Sequence, residues 1–169
     1  IPQPATPRTV NRPHSIEAEV TIPSGGAEGV LLAQGGAAGG FAFYIKDGRL
    51  HYGLNYVARD FFGASSTEVV PEGRHVLRFE FEPTGPPDFS VGKGSPGRFQ
   101  LYVDGDLVGA AEVPHTTPSI YELEGLSCGY DALAPVLPDV YQSPFAFTGI
   151  IHSVTVDVSG ELIEDDEAT

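Results

Sequence analysis

From Ser15 the chain alternates apolar and polar residues: Ile16, Ala18, Val20 and Ile22 fall on one side, with Glu17, Glu19 and Thr21 between them. Successive side chains of an extended backbone leave opposite faces, so this pattern predicts a strand with one face buried. The same period of two returns at residues 41–45, 50–54, 75–81 and 99–103. Further runs at 29–33, 57–62, 68–70, 107–113, 126–128 and 147–158 bring the expectation to about eleven strands. No segment keeps a helical period for more than two turns.

Two Asp-Gly dipeptides lie between alternating runs, and both residue types tolerate the positive φ that a two-residue hairpin loop requires. With Asp47-Gly48 as such a loop, Lys46 pairs with Arg49, Ile45 with Leu50, Tyr44 with His51, Phe43 with Tyr52 and Phe41 with Leu54. Large apolar side chains then meet on one face. Asp104-Gly105 is less determined, because a two-residue loop leaves apolar pairs on both faces (Leu101 with Val108, Tyr102 with Leu107); a bulged or longer loop fits equally well. In the last run Phe147, Gly149 and Ile151 share a face, yet Val154, Val156 and Val158 continue in the other phase. One extra residue near His152-Ser153, a β-bulge, keeps both sets on the core.

Many strands, tight turns and no helix predict an all-β fold, a two-sheet antiparallel β-sandwich, with a closed barrel as the lesser alternative. The chain of 169 residues divides into a Pro-rich linker (1–14), one sandwich domain (15–158) and an acidic C-terminal tail (159–169). The Pro-rich loops 83–97 and 135–144 are expected to be long and exposed.

Charge narrows the partners. The formal net charge is −14, and residues 157–169 hold six acids and no base, which leaves −8 for the rest. Phosphate backbones and anionic lipid are repelled, so neither nucleic acid nor a membrane surface is an expected partner. No apolar run approaches a membrane span, and residues 1–11 lack the pattern of a signal peptide, so the chain is expected to be soluble, with its compartment open. A start at Ile1 and the absence of Met suggest a piece of a larger protein.

Catalytic chemistry is hard to find. The Gly-Gly pairs at 25–26, 35–36 and 39–40 lack the helix and Lys that a phosphate cradle needs. There is no nucleophile elbow, and Cys128, without a basic neighbour in sequence, reads as a buried, inert core thiol. The five histidines occur singly. Glu17/Glu19 and Glu80/Glu82 have the spacing of paired carboxylates on one strand, but they interleave with the core set and read as solvated strand faces.

Two features suggest binding. On the outer face of the first hairpin Tyr44 lies beside His51, above small Ala42 and Gly53, with Lys46, Arg49, Asn55 and Arg59 as polar neighbours. An aromatic ring with polar groups above small residues suits a sugar or aryl ligand; a plain solvated sheet face is the alternative. Asp131, with Asp139 downstream, offers oxygens to a calcium ion or caps a turn. The loop residues Phe89, Val136, Leu137, Val140, Tyr141 and Phe145 either dock a neighbouring surface or fold back over the sandwich.

A set of ordered motifs runs through the chain: Asn11-Arg12-Pro13-His14-Ser15-Ile16, Gly25-Gly26-Ala27-Glu28-Gly29-Val30, Tyr44-Ile45-Lys46-Asp47-Gly48-Arg49-Leu50, Phe79-Glu80-Phe81-Glu82-Pro83, Leu101-Tyr102-Val103-Asp104-Gly105 and Pro144-Phe145-Ala146-Phe147-Thr148-Gly149. From about Val10 to Glu167 the chain resembles the C-terminal domain of bacterial arylsulfatases, the type-I, formylglycine-dependent sulfatases. The resemblance implies a concanavalin A-like or laminin G-like jelly roll, acting as a non-catalytic accessory domain of an enzyme that hydrolyses sulfate esters. In that family a Cys or Ser within Cys/Ser-x-Pro-x-Arg becomes formylglycine, and a calcium ion binds the sulfate. Cys128 is followed by Gly-Tyr-Asp instead, so both cofactors are expected in a catalytic domain outside this chain, with no catalytic residue here. Departures fall at Pro13 and at residues 130–134. The expected partner is that catalytic domain of the same polypeptide, with self-association as a second reading. A free-standing carbohydrate-binding β-sandwich module is the alternative function. Incubated with an aryl sulfate, the 169-residue protein should release no phenol above the buffer rate; turnover lost on substituting any residue here would contradict this.

Overall fold

The alternating runs become ten strands in the computed structural model, which describes residue 9 and residues 11–117, 125–132, 134–158 and 160. They are β1 (His14–Ile22), β2 (Gly29–Gly36), β3 (Gly39–Lys46), β4 (Arg49–Tyr56), β5 (Asp60–Val69), β6 (Gly73–Pro83), β7 (Gly97–Val103), β8 (Asp106–Val113), β9 (Leu126–Cys128) and β10 (Ile150–Asp157). Sheet A has the order β10-β1-β6-β7-β8, sheet B the order β5-β4-β3-β2-β9, and every pairing between these strands is antiparallel. Residues 1–8 and 10 of the expected linker, and all of the expected tail except Gly160, lie outside the described residues. The described part of that linker is built into the sandwich. The Asn11 side chain accepts from the Ser95 amide at 3.0 Å, Arg12 donates to the Val158 carbonyl at 3.2 Å, and His14 opens β1.

The two sheets face each other across one apolar layer. Ile16, Ala18 and Val20 of β1 and Leu77, Phe79 and Phe81 of β6 meet Phe43 and Ile45 of β3 and Leu50 and Tyr52 of β4. Phe79 is the aromatic hub of this layer. Its ring lies flat on Tyr52 of the opposite sheet (centroids 3.6 Å apart, 4° between planes) and meets Phe99 edge-on at 5.5 Å. Phe43 and His14 approach it from 6.4 and 5.8 Å.

The first hairpin has the register read from the sequence, with Asp47 at φ 53° and Gly48 at φ 76° in its loop. The second hairpin combines both readings. Asp104-Gly105 is a two-residue loop with Tyr102 opposite Leu107, and Val108 then bulges, so that Leu101 faces Gly109. The bulge near His152 is also present: Glu19 pairs with Ser153 and Val20 with Ile151, and His152 is the residue left over. Ile151, Val154 and Val156 all pack on the core in consequence.

The runs at 57–62 and 68–70 do not form two strands. Val57 and Ala58 have positive φ (45° and 59°), because the Asn55 carbonyl oxygen captures the Ala58 amide at 2.8 Å and closes a turn. A single long β5 follows. Val57 reads as a strand residue by propensity, and the side chain two positions earlier overrides it.

The outer face of sheet B is apolar too, which explains the unbroken burial of β2. Val30, Ala33, Ala42 and Tyr44 form a second cluster with Val136, Leu137 and Tyr141 from the segment that follows β9. Backbone bonds stitch that segment to β2, from Val30 N to Phe145 O and from Gly129 N to Leu31 O, each 2.9 Å. The expectation of an exposed loop at 135–144 is therefore corrected. Of the loop residues with two readings, Val136, Leu137 and Tyr141 are buried, Val140 and Phe145 pack against them, and Phe89 alone remains 45% exposed. Among the described residues no helix is long and apolar enough to cross a membrane. Phe79→Ala should cost about 3–5 kcal/mol, because a fully buried ring shared by both sheets is lost. Chemical denaturation of the variant measures the loss, and a cost under about 1 kcal/mol would mean that the layer can close over the gap.

Candidate functional site

The residues singled out from the first hairpin lie beneath the covering segment. Tyr44 stacks on His51 (5.0 Å, 20°), as the register requires, but Tyr141 and Phe145 close over it and leave it 6% exposed. The depression expected above Gly53 is filled: a Cβ on Gly53 would come within 2.5 Å of Leu137 Cδ1. The ammonium of Lys46 donates to the Val140 carbonyl. Burial lowers the His51 pKa, and its two nitrogens are engaged. Nε2 donates to the Lys46 carbonyl at 3.2 Å, which leaves Nδ1 to accept from the Ser65 hydroxyl at 2.7 Å.

Asn55 and Arg59 are not brought to Tyr44; they lie at the other end of β4 and in the turn after it. Asn55 is fully buried and is a clasp, donating to the carbonyls of Ala37 (3.0 Å) and Val136 (2.9 Å) while it holds the Ala58 amide. Arg59 is exposed. The expectation of an open ligand face around Tyr44 is thus corrected, because an apolar sheet face this broad is covered by the chain itself.

Asp131 is the anchor of that cover. Only 1% exposed, it accepts at Oδ2 from the Val136 amide (2.8 Å) and the Tyr141 hydroxyl (2.5 Å). Burial raises its pKa, and these two donors pull the other way. Its role is that of a cap within the segment, and Asp139 is exposed. Among the described residues no group of three or more His, Cys, Asp or Glu side chains is arranged to hold a metal ion. Cys128 is exposed, contrary to the expected core position, because it ends a three-residue edge strand; partial burial still raises its pKa.

The outer face of sheet A has the opposite character. Cross-strand register lines up Asp157, Ser15, Glu80 and Gln100 in one row, and Thr155, Glu17, Arg78 and Tyr102 in the next. A cavity of about 310 Å³ opens here, with Ser15, Arg78, Glu80, Glu82, Gln100 and Asp157 in its lining and Pro13, His14 and Gly160 at one end. Arg78 bridges two carboxylates, with Nη1 3.0 Å from Glu17 and Nε 2.7 Å from Glu80. Burial alone would lower its pKa, but these carboxylates raise it. Burial and then the Glu80 charge raise the Tyr102 phenol. Arg74 and Arg98 are held in the same way, by Glu19 at 2.6 Å and Glu112 at 2.8 Å.

His14 borders this row at the start of β1, but its side chain alternates with Ser15 and turns to the core side. Its ring is packed against Phe79 and Phe81, and burial brings its pKa down to about 4, so it is neutral at pH 7. Nδ1 lies 3.0 Å from the Arg12 carbonyl, which can only accept, so Nδ1 carries the proton and Nε2 is an acceptor. That buried Nε2 has no hydrogen-bond partner among the described residues.

Sequence reasoning passed over this face. Its signal was present in Glu17 and Glu80, read there as solvated positions, but their meeting at Arg78 depends on the pairing of β1 with β6, which no local pattern encodes.

No protein-family model matches the chain, and no curated protein matches it. Solved structures do. The CBM40 domain of the Ruminococcus gnavus IT-sialidase, bound to α2,3-sialyllactose, is 15% identical over 94% of this chain and 80% of that one, with a TM-score of 0.62. Domains LG4-5 of the mouse laminin α1 chain match at 13% identity and TM-score 0.62, over 95% of this chain and 39% of that one. A leech intramolecular trans-sialidase matches at 12% and 0.61, over 94% and 23%. At such identities the likeness speaks for the fold: the chain is a jelly-roll β-sandwich of the laminin G-like kind.

His14 should make stability pH-dependent. Its folded pKa lies below the ordinary 6.5, so the unfolded chain takes up the proton first as the pH falls. Its contribution is complete above 6.5 and is lost by about pH 4, a change of up to roughly 3 kcal/mol. Between about pH 7 and pH 4 the wild type should lose up to roughly 3 kcal/mol of stability relative to His14→Phe, as read from denaturation of both proteins; parallel curves would contradict the assignment.

Proposed function

We propose that this chain is a non-catalytic carbohydrate-binding β-sandwich module whose ligand lies on the outer face of sheet A. The observation that carries the reading is the cavity of about 310 Å³ on the one described sheet face that the chain does not cover with its own apolar residues. Its chemistry suits a sugar, whose hydroxyls both donate and accept. Ser15 and Gln100 do the same, Glu80 and Asp157 accept, and Tyr102 beside exposed Leu107 offers an apolar surface to a ring face. The CBM40 domain with the same fold supports the class of ligand.

A second reading is favoured by the ordered motifs from Asn11 to Gly149, in which the module is the accessory domain of an arylsulfatase and its main partner is the catalytic domain. Exposed Phe89 and Val91, in the turn between β6 and β7, would then be candidates for the contact. A Cys/Ser-x-Pro-x-Arg reading frame upstream of Ile1 in the gene would favour it, and an upstream frame without one would count against it.

The test of the first reading is an NMR titration of the whole chain with neutral and charged oligosaccharides. Shifts should centre on Ser15, Arg78, Gln100 and Tyr102. Gln100→Ala should weaken binding about threefold to tenfold, as expected for one hydrogen bond. Shifts confined to other surfaces, or none up to millimolar sugar, would overturn this reading.

A further inference from the structure

We infer that His75 is a proton-operated clasp: as an imidazolium it ties the turn between β5 and β6 to the β7–β8 hairpin, and on losing a proton it must let go of one of them.

The ring meets an acceptor at each nitrogen. Nε2 lies 3.1 Å from the Glu72 carbonyl and Nδ1 lies 2.6 Å from Asp104 Oδ2. A carbonyl accepts only, so Nε2 carries a proton. An ionised carboxylate also accepts only, so Nδ1 carries one too, and the charged ring alone satisfies both. His51 is likewise bonded at both nitrogens, but its second partner is the Ser65 hydroxyl, which can donate, and a neutral ring suffices there. At His75 neither partner can donate.

Asp104 is itself kept ionised. Burial alone would raise its pKa, but the Val76 amide, 2.8 Å from Oδ1, and then His75 bring it below the ordinary value. Burial would in turn lower the His75 pKa, and the Asp104 carboxylate, followed by the Glu72 carbonyl, raises it above the ordinary 6.5.

The surrounding charges leave this pair to itself. From β1, Val20 is paired with His75, and its neighbour Glu19 is taken by Arg74. From the hairpin comes Asp104, with Asp106 exposed beyond it, and in the turn the Glu72 residue is exposed as well. The hairpin opens β8, which leans on β5 where Gly109 meets the Ser65 carbonyl, so both tied loops lead to the border at which the two sheets touch.

Deprotonation leaves one proton for two acceptors, and one contact parts. The contribution of the clasp to stability is therefore complete below pH 6.5 and is lost as the pH rises through the higher folded pKa. None of the clasp residues lines the cavity on sheet A, so this inference and the carbohydrate reading stand or fall separately.

The experiment follows the imidazole nitrogens of the whole chain by NMR from about pH 5 to pH 9, the range in which a histidine with a raised pKa titrates. At the acid end both His75 nitrogens should carry protons, with a titration midpoint above 6.5. Asp104→Asn, which keeps a residue tolerant of positive φ in the loop, should bring the midpoint down towards or below 6.5. Asp106→Asn, an equal charge change two positions away, should leave it in place. Denaturation across the same range should show the wild type losing stability at the His75 midpoint, and His75→Gln should lack that loss. The wild-type titration decides the matter even if a variant fails to fold. A midpoint at or below 6.5, a ring with one protonated nitrogen at the acid end, an equal effect of Asp106→Asn, or the same loss of stability in His75→Gln would overturn the inference.

Discussion

A two-sheet sandwich has four faces and needs only two of them for its core; in this chain a third is apolar as well. Val30, Ala33, Ala42 and Tyr44 leave the outer side of sheet B unfit for water, and that constraint decides much of the remaining architecture. The segment after β9 gives up its own apolar residues to cover the face, and a buried carboxylate, Asp131, holds the cover in shape. Such a carboxylate is costly to bury and is kept because both groups it bonds would otherwise be orphaned. With sheet B closed in this way, sheet A is left as the broad polar surface.

Strand content was largely legible because it depends on local alternation. The Asp47-Gly48 register and the bulge at His152 both follow from asking that large apolar residues share a face, a question that neighbouring residues can answer. The errors share a different origin. Val57 has the side chain of a strand residue, yet Asn55 binds the backbone into a turn there. Tyr44 and Gly53 looked like an exposed aromatic beside a hollow, and they are one half of a contact whose other half, Leu137, is more than eighty residues away. Alternation shows that a face exists; it does not show what covers it.

The candidate site was least legible for a related reason. Ser15, Arg78, Glu80 and Gln100 are unremarkable in their own strands, each the polar partner in an alternating pair. They become a cavity lining through the order β10-β1-β6-β7, which brings together segments from both ends of the chain. His14 reads as the end of a linker and is instead a neutral, buried ring packed on the core aromatics Phe79 and Phe81. Its tautomer is fixed by one carbonyl, a detail that only coordinates supply.

The bulges that keep side chains on the proper face have another effect, on the borders of the sheets. Open strand edges invite pairing with a second molecule. Here β10 is interrupted at His152 and β8 at Val108, while β5 skips from Val69 to Ser65 against β4. The fourth border, β9, is only three residues long, and β8 leans so closely on β5 that a Cβ at Gly109 would strike the Ser65 carbonyl. No border of the described sandwich offers a long, regular template for strand addition. Crowded on a surface or strung beside other domains, copies of this sandwich would resist fusing into a continuous sheet, and any self-association would have to proceed through faces and loops.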